Sequence, residues 1–447
     1  ESEKAIPLLK GVDQFHIFDR GSYQESLADP SSPLLEAYDR FKKWVSKVQE
    51  EAYTYVINLS HTYFSYWVSS LIPAEIHLGA HETANGIPGF GSPWFRYLEE
   101  QVSRHIPYPH HFIDIFRWAL DLDSQVDFAF QETASGKKET SSLSLRSDEK
   151  LIVIQPFTSD KKKNYHESLW LEVINKLIQQ KERVILLGAP FEKEALLKLA
   201  HHFGSDLVRP FVCSMEGAYS LLKNHTRILI TGDTSIKHLA CGTSCKLIEI
   251  SLGSSQFYLT GAYKEGSIIL QTKASCAPCL HRQNCIKGEP DCSFSVTPED
   301  VLEVIKHGEK ASLSSCKGFL VTVKEFPFVH FKSFNFLKEE ISALKQKLIW
   351  KFFLDGEWDQ TVPPIGSLSY MMARYLNKRG QVRLDKESFS SGVGFSLDNT
   401  FSLKGSQTFS AMRKQKEIEV RQKTFSEIYK SFEKALQKQL EVFHEPS

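Results

Sequence analysis

Long apolar runs are missing from this 447-residue chain. Runs such as 151–154 and 228–230 are strand-length, far below the ~20 residues that span a bilayer, which excludes a helical membrane protein and leaves peripheral association open. An excess of either charge is missing too: Lys plus Arg and Asp plus Glu both count 54. The overall field gives no hold on polyanions and no local basic patch stands out, so nucleic acid is excluded as a partner. The first residues, Glu1-Ser-Glu-Lys-Ala-Ile-Pro, have neither the basic nor the apolar region of a secretory leader, so a reducing, cytoplasmic setting is expected. Cysteine is sparse outside one segment. Cys213, Cys241, Cys245 and Cys316 are scattered, which argues against a disulfide framework across the chain.

What is present is enough chain for two or three domains, each with its own core. Residues 1–133 alternate strand-like runs (14–18, 53–59) with helical stretches (34–51, 95–105), predicting an α/β sheet domain. Residues 134–150 are polar and Ser-rich, as an interdomain linker would be. From 151 to 307 strands at 151–155, 183–187, 227–231 and 246–251 are separated by helical patterns. That rhythm predicts right-handed crossovers and a doubly wound parallel sheet. Residues 308–447 change character and predict a mainly helical extension. Phe334, Leu337, Ile341, Leu344 and Leu348 stripe one amphipathic helix. Ile418, Phe425, Ile428, Phe432, Leu436 and Phe443 stripe another, with 381–412 between them read as loop. Such stripes pack helices within a subunit or form the seam of a homo-oligomer.

In an open parallel sheet ligands bind beyond the carboxyl ends of the strands, so the residues after each strand of 151–255 carry the functional reading. Gln155-Pro-Phe-Thr-Ser-Asp-Lys-Lys-Lys-Asn-Tyr brings hydroxyls and three lysines to a strand end, as a phosphate site needs. Ser214-Met-Glu216-Gly opens a helix with a carboxylate that caps it or accepts hydrogen bonds from a ribose. Thr231-Gly-Asp-Thr-Ser-Ile-Lys-His follows a strand with small polar residues whose backbone N–H groups can meet an anion, and Ser251-Leu-Gly-Ser-Ser ends another strand. Together they suit a nucleoside diphosphate.

The stretches from Thr158, Ser214 and Gly232, with Leu187-Gly-Ala-Pro-Phe-Glu-Lys-Glu, resemble in order and spacing the donor-domain motifs of glycosyltransferase family 9, the ADP-heptose:lipopolysaccharide heptosyltransferases, over roughly 10–305. The resemblance implies a GT-B fold: two Rossmann-like domains facing a cleft, with 1–133 the acceptor side, incomplete at its start, and 151–307 the donor side. It implies that Lys163 meets the diphosphate and that Glu216 binds the nucleoside sugar. Thr158, Ser159, Asp233, Thr234, Ser235 and His238 would line the diphosphate and transferred sugar. Two departures stand out. Ser235 occupies a position where the family usually has Gly, altering the closest backbone approach to the diphosphate. The chain also enters about one βαβ unit late, so the aspartate that serves the family as acceptor base is expected to be absent, and no catalytic residue is assigned. Asn58, His61 and Asp114 are polar residues of the acceptor domain, read as structural.

The implied reaction is an inverting transfer of a heptose-like sugar from an ADP-heptose-like donor to a hydroxyl of a lipopolysaccharide-core glycan at the inner face of the bacterial inner membrane. With Lys163 and the backbone amides at Thr234 to stabilise the leaving diphosphate, and no Asp-x-Asp pair suited to bridging a metal, no catalytic cofactor is expected. Two alternatives stay open: protein O-heptosyl transfer of the autotransporter type, and a non-catalytic sugar-nucleotide-binding scaffold. Cys276, Cys279, Cys285 and Cys292, spaced C-x₂-C-x₅-C-x₆-C, can close a structural Zn or Fe site or remain thiols or disulfides. A similar run in the autotransporter heptosyltransferases implies iron.

Overall fold

Strand β1, Tyr53–Asn58, lies parallel to β2, Ala74–Gly79, and helix Tyr63–Leu71 makes the crossover between them. Thr62 starts that helix with a capping box, its hydroxyl accepting from the Ser65 N–H. A short antiparallel pair follows, β3 His81–Glu82 with β4 Pro88–Gly89. This computed structural model describes residues 2–355 except 29–33, 84, 86–87, 105–109, 123–127, 129, 205, 281–283, 289, 327 and 336–337. Among the described residues the N-terminal parallel sheet has these two strands. The run 14–18, expected as a strand, has no regular secondary structure. Ring packing holds it instead: Phe18 stacks on Tyr23 and meets Phe41, Trp44 and Phe64, while the Trp44 indole N–H donates to the Ile17 carbonyl.

The main sheet has eight strands: β5 Leu151–Gln155, β6 Val184–Gly188, β7 Val208–Val212, β8 Thr226–Thr231, β9 Lys246–Ser251, β10 Ile268–Thr272, β11 Cys316–Thr322 and β12 His330–Ser333. Their order is β12-β11-β10-β9-β8-β5-β6-β7, parallel from β5 through β10 and antiparallel at β11 and β12. Alternation along each strand feeds two cores. Ile152, Ile154, Leu186 and Ile230 pack with Trp170, Val173, Leu177 and Val301 on one face; Leu151, Val153, Leu187, Leu229 and Leu247 pack with Leu221, Leu222 and Leu239 on the other. Helices on both faces explain why these strands read as continuous apolar runs. This is the expected α/β fold.

Residues 134–150, expected as linker, begin with helix Ala134–Ser141, capped by the Thr133 hydroxyl and docked on helix Met215–Asn224. The polar side chains there satisfy backbone and side-chain donors. Glu139 accepts from the Ser214 N–H at 2.8 Å and its hydroxyl at 2.5 Å, and a Cβ at Gly136 would lie 2.3 Å from the Glu216 carbonyl. The region from 308 likewise opens with strands, since β11 and β12 extend the sheet through Ser333.

Two compact units divide the chain, Glu1–Glu340 and Ile341–Ser447. The second, as far as it is described, is the remainder of helix Lys338–Leu354, with Lys351 paired to Asp355 at its end. The stripe from Ile418 to Phe443 and the loop 381–412 lie outside the described residues. No described helix is long and apolar enough to cross a membrane.

Candidate functional site

The parallel strands run in the order β7-β6-β5-β8-β9-β10, so the winding reverses between β5 and β8, the topological switch point where open α/β sheets bind ligands. A cavity of about 1390 Å³ lies there, lined by the residues that follow β5, β6, β7, β8 and β9 and, from the N-terminal half, by Lys4, Ala5, Leu9 and Phe112. Its floor is tied across the switch. Gln155, the last residue of β5, accepts at Oε1 from the Thr231 hydroxyl at 2.5 Å and the Thr234 hydroxyl at 2.7 Å. With the Thr234 hydroxyl turned to Gln155, no side chain caps helix Ser235–Cys241.

The loop after β5 is held rigidly. The Thr158 hydroxyl donates to the Asp160 carbonyl at 2.7 Å, its N–H donates to Asn164 Oδ1 at 2.9 Å, and the Ser254 hydroxyl donates to Asp160 Oδ2 at 2.6 Å. Gly253 makes that junction possible: its φ is +55° and a Cβ there would lie 2.0 Å from the Lys162 carbonyl. Of the three lysines, Lys162 donates to the Leu280 carbonyl, while Lys163 lines the cavity and pairs with Asp233 Oδ2 at 2.7 Å. The other Asp233 oxygen pairs with Lys237 at 2.5 Å. Although burial works the other way, Lys237 and then Lys163 hold the Asp233 carboxyl far below the usual carboxylate range. Burial, and then the Lys237 charge, pushes His238 down to about 4, so its imidazole is neutral near pH 7.

Seven of the eight donor-side residues named from sequence therefore line one cavity: Thr158, Ser159, Lys163, Asp233, Thr234, Ser235 and His238. Glu216 is not among its lining residues. It stands in the first turn of helix Met215–Asn224, with its backbone against Gly136. The cavity instead holds Glu192, just past the end of β6, which sequence reasoning gave no role. Its carboxylate accepts from the Ala189 N–H at 2.8 Å, and burial raises it above the usual carboxylate value. The signal was a carboxylate at the end of Leu187-Gly-Ala-Pro-Phe-Glu, a strand end like the others.

On the N-terminal side, Asn58 is engaged by the Ala80 carbonyl at 2.7 Å, and His61 pairs with Glu99 at 3.3 Å with its ring against Phe112. Asp114 is fully buried. It accepts from the Tyr263 hydroxyl at 2.7 Å, the Val329 N–H at 3.0 Å and Arg117.

Cys276, Cys279 and Cys292 are free thiols, and among the described residues no group of three or more His, Cys, Asp or Glu is placed to hold a metal ion. The loop that carries them borders the cavity: the Cys279 N–H donates to the Gly253 carbonyl at 3.0 Å, and Pro278 and Leu280 join the cavity wall.

A family model described as glycosyltransferase family 9 (heptosyltransferase) matches residues 41–289, more than half of the chain. Among solved structures, Escherichia coli heptosyltransferase WaaC with ADP is 16% identical, with 68% of this chain and 87% of that one covered and a TM-score of 0.47. E. coli ADP-heptose lps heptosyltransferase II is 16% identical over 60% and 80%, with a TM-score of 0.45. A family 9 glycosyl transferase from Veillonella parvula is 13% identical over 68% and 85%, with a TM-score of 0.49. No curated protein matches the chain in sequence.

Proposed function

The chain belongs to glycosyltransferase family 9, and from that premise we propose that it moves a heptose-like sugar from a nucleoside-diphosphate sugar to a hydroxyl of a lipopolysaccharide-core glycan, with inversion and without a metal. The observation that carries this reading is the cavity at the β5/β8 switch point. It joins a lysine, a helix start without a side-chain cap and a carboxylate on a neighbouring strand end.

In this reading Lys163 takes the diphosphate, with Thr158, Ser159, Thr234 and Ser235 supplying hydroxyl and backbone contacts. Glu192, held by the Ala189 N–H, accepts from the ribose hydroxyls, a role its place in the cavity favours over Glu216. The acceptor oxygen attacks C1 opposite the leaving group and gives its proton to a general base, while the C1–O bond breaks and both electrons leave with the diphosphate. Charge grows on the diphosphate as that bond stretches, so a fixed cation there lowers the barrier. Asp233 is an unfit metal ligand in this arrangement, because each of its oxygens already carries a lysine.

Incubation with ADP-, GDP- and UDP-activated heptose, with and without a core-glycan acceptor, tests the reading. Release of nucleoside diphosphate that depends on the acceptor and survives EDTA is expected. Transfer only to a protein hydroxyl would move the assignment to the autotransporter type, and binding without turnover would leave a scaffold.

A further inference from the structure

Lys237 and Glu249 stand behind the cavity wall and are fully buried. Lys237 Nζ lies 2.5 Å from Asp233 Oδ1 and 3.0 Å from Glu249 Oε1, while Glu249 Oε2 accepts from the Ala262 N–H at 3.0 Å. With Lys163 on the remaining oxygen of Asp233, four alternating charges run from the cavity into the core: Lys163, Asp233, Lys237 and Glu249. With Glu249 ionised, two are positive and two negative and the ladder is neutral; burial raises the Glu249 pKa, against the pull of the Lys237 charge. Burial works against the Lys237 charge, but Glu249 and Asp233 between them raise its pKa above the ordinary lysine value. Folding alone gives little reason for such a ladder, since desolvating each charge is costly and well-packed apolar residues often serve stability as well.

A reason appears when Lys163 has to change partners. An incoming diphosphate competes with Asp233 for its ammonium. If Asp233 had no other partner, releasing Lys163 would strand a carboxylate beside the polyanion, which resists binding by loss of pairing and by repulsion. We propose that Lys237 and Glu249 are positioning residues that keep Asp233 neutralised and in place while Lys163 passes from Asp233 to the donor diphosphate. Lys237 supplies the standing counter-charge. Glu249 limits how strongly Lys237 draws on Asp233 and fixes it to the backbone at Ala262. The inference rests on the reading that Lys163 takes the diphosphate.

ADP affinity by calorimetry, with KM and kcat for the nucleotide sugar, tests it. In the paired variant Lys237→Met with Glu249→Gln, no unpaired charge is left from the buried pair and a thermal midpoint near wild type is expected. ADP should nevertheless bind about tenfold more weakly, within the range of couplings inside one hydrogen-bond network, with KM rising more than kcat falls. Adding Asp233→Asn should recover ADP affinity, because the competing carboxylate is gone. Glu249→Gln alone should tighten ADP binding about threefold, since Lys237 then turns wholly to Asp233 and frees Lys163; a packing role would only weaken or spare it. This single variant also serves if the pair does not fold. Wild-type ADP affinity in the paired variant, or unchanged or weaker binding in Glu249→Gln, overturns the inference. Lys163→Ala binding ADP as tightly as wild type would instead overturn the reading of the cavity beneath it.

Discussion

The Tyr263 hydroxyl donates to Asp114 Oδ1 at 2.7 Å, joining helix Phe112–Ala119 of the N-terminal half to the loop between β9 and β10. Arg117 donates to the same hydroxyl at 3.1 Å, and the second Asp114 oxygen takes the Val329 N–H. Phe112 opens the same helix and lines the cavity, so this junction helps to set where the N-terminal half meets the donor side. Tyr263→Phe should cost roughly 1–2 kcal/mol in urea unfolding, as for one buried hydrogen bond. Asp114→Ala should cost more, roughly 3–5 kcal/mol, because it removes a fully buried carboxylate to which Tyr263, Val329 and Arg117 all donate. Equal small losses in both variants would show that the junction carries no buried charge pairing.

Lys163→Ala should abolish most transfer while leaving the fold intact. That loss leaves the remaining buried charges paired: Asp233 keeps Lys237, and Lys237 keeps Glu249. Removing a charge-assisted contact made mainly in the transition state costs roughly 2–4 kcal/mol, or about 30- to 1,000-fold in kcat/KM. Circular dichroism and initial rates on the same preparation check this, and a wild-type rate in the variant removes Lys163 from the site.

Much of this candidate site was legible because each strand end is followed at once by residues that line the cavity, so a correct strand placed them without any tertiary knowledge. Strands β5, β6, β8 and β9 could be read because both faces are buried and their apolar runs are nearly continuous. β7 escaped notice: it sits at the sheet edge and carries Arg209 and Pro210, which an edge position tolerates. Helix Ala134–Ser141 was hidden by its composition, because Glu139 and Thr133 earn their places through backbone hydrogen bonds that leave no apolar stripe. The cysteine spacing left a metal site, thiols and disulfides open, because spacing along a chain does not fix distances across a loop.

Glu192 and Glu216 separate two versions of the nucleoside contact. Glu192→Ala should weaken ADP binding by roughly 1.5–3 kcal/mol, the scale of hydrogen bonds to a charged group, and Glu216→Ala should leave it unchanged. Because burial raises the Glu192 pKa, its carboxylate is lost early as pH falls, and ADP affinity should decline on the acid side in wild type but stay flat in Glu192→Gln. Titrations of ADP binding against pH distinguish the two, and a loss confined to Glu216→Ala would return the role to that residue.

The eight thiols should sort by burial. Burial and the Asp300 carboxylate push Cys316 up to about 12, so only about one in ten thousand would be thiolate at pH 8, and burial raises Cys213 in the same way. Cys276 and Cys285 are only partly buried. An aromatic disulfide reagent at pH 8 should modify Cys276 and Cys285 in the folded protein and reach Cys213 and Cys316 only in denaturant. Mass mapping that finds Cys316 modified first would contradict the buried placement of β11.

His238 gives a stability signature with a defined sign. Burial and Lys237 lower its pKa from the ordinary 6.5 to about 4, so between those values the unfolded chain binds more protons than the folded one. Stability then rises with pH across that window. The contribution is complete above pH 6.5 and is lost as pH falls through 6.5 towards 4, on the order of 3 kcal/mol in all at 1.36 kcal/mol per unit. His238→Asn removes the titration, so the difference in unfolding free energy between wild type and variant should shift steadily from pH 7 to pH 4.5. A neutral imidazole across pH 5–8 also means that transfer should show no inflection from this residue in that range. A pH-independent difference between the two proteins would place His238 in solvent and remove it from the buried wall of the cavity.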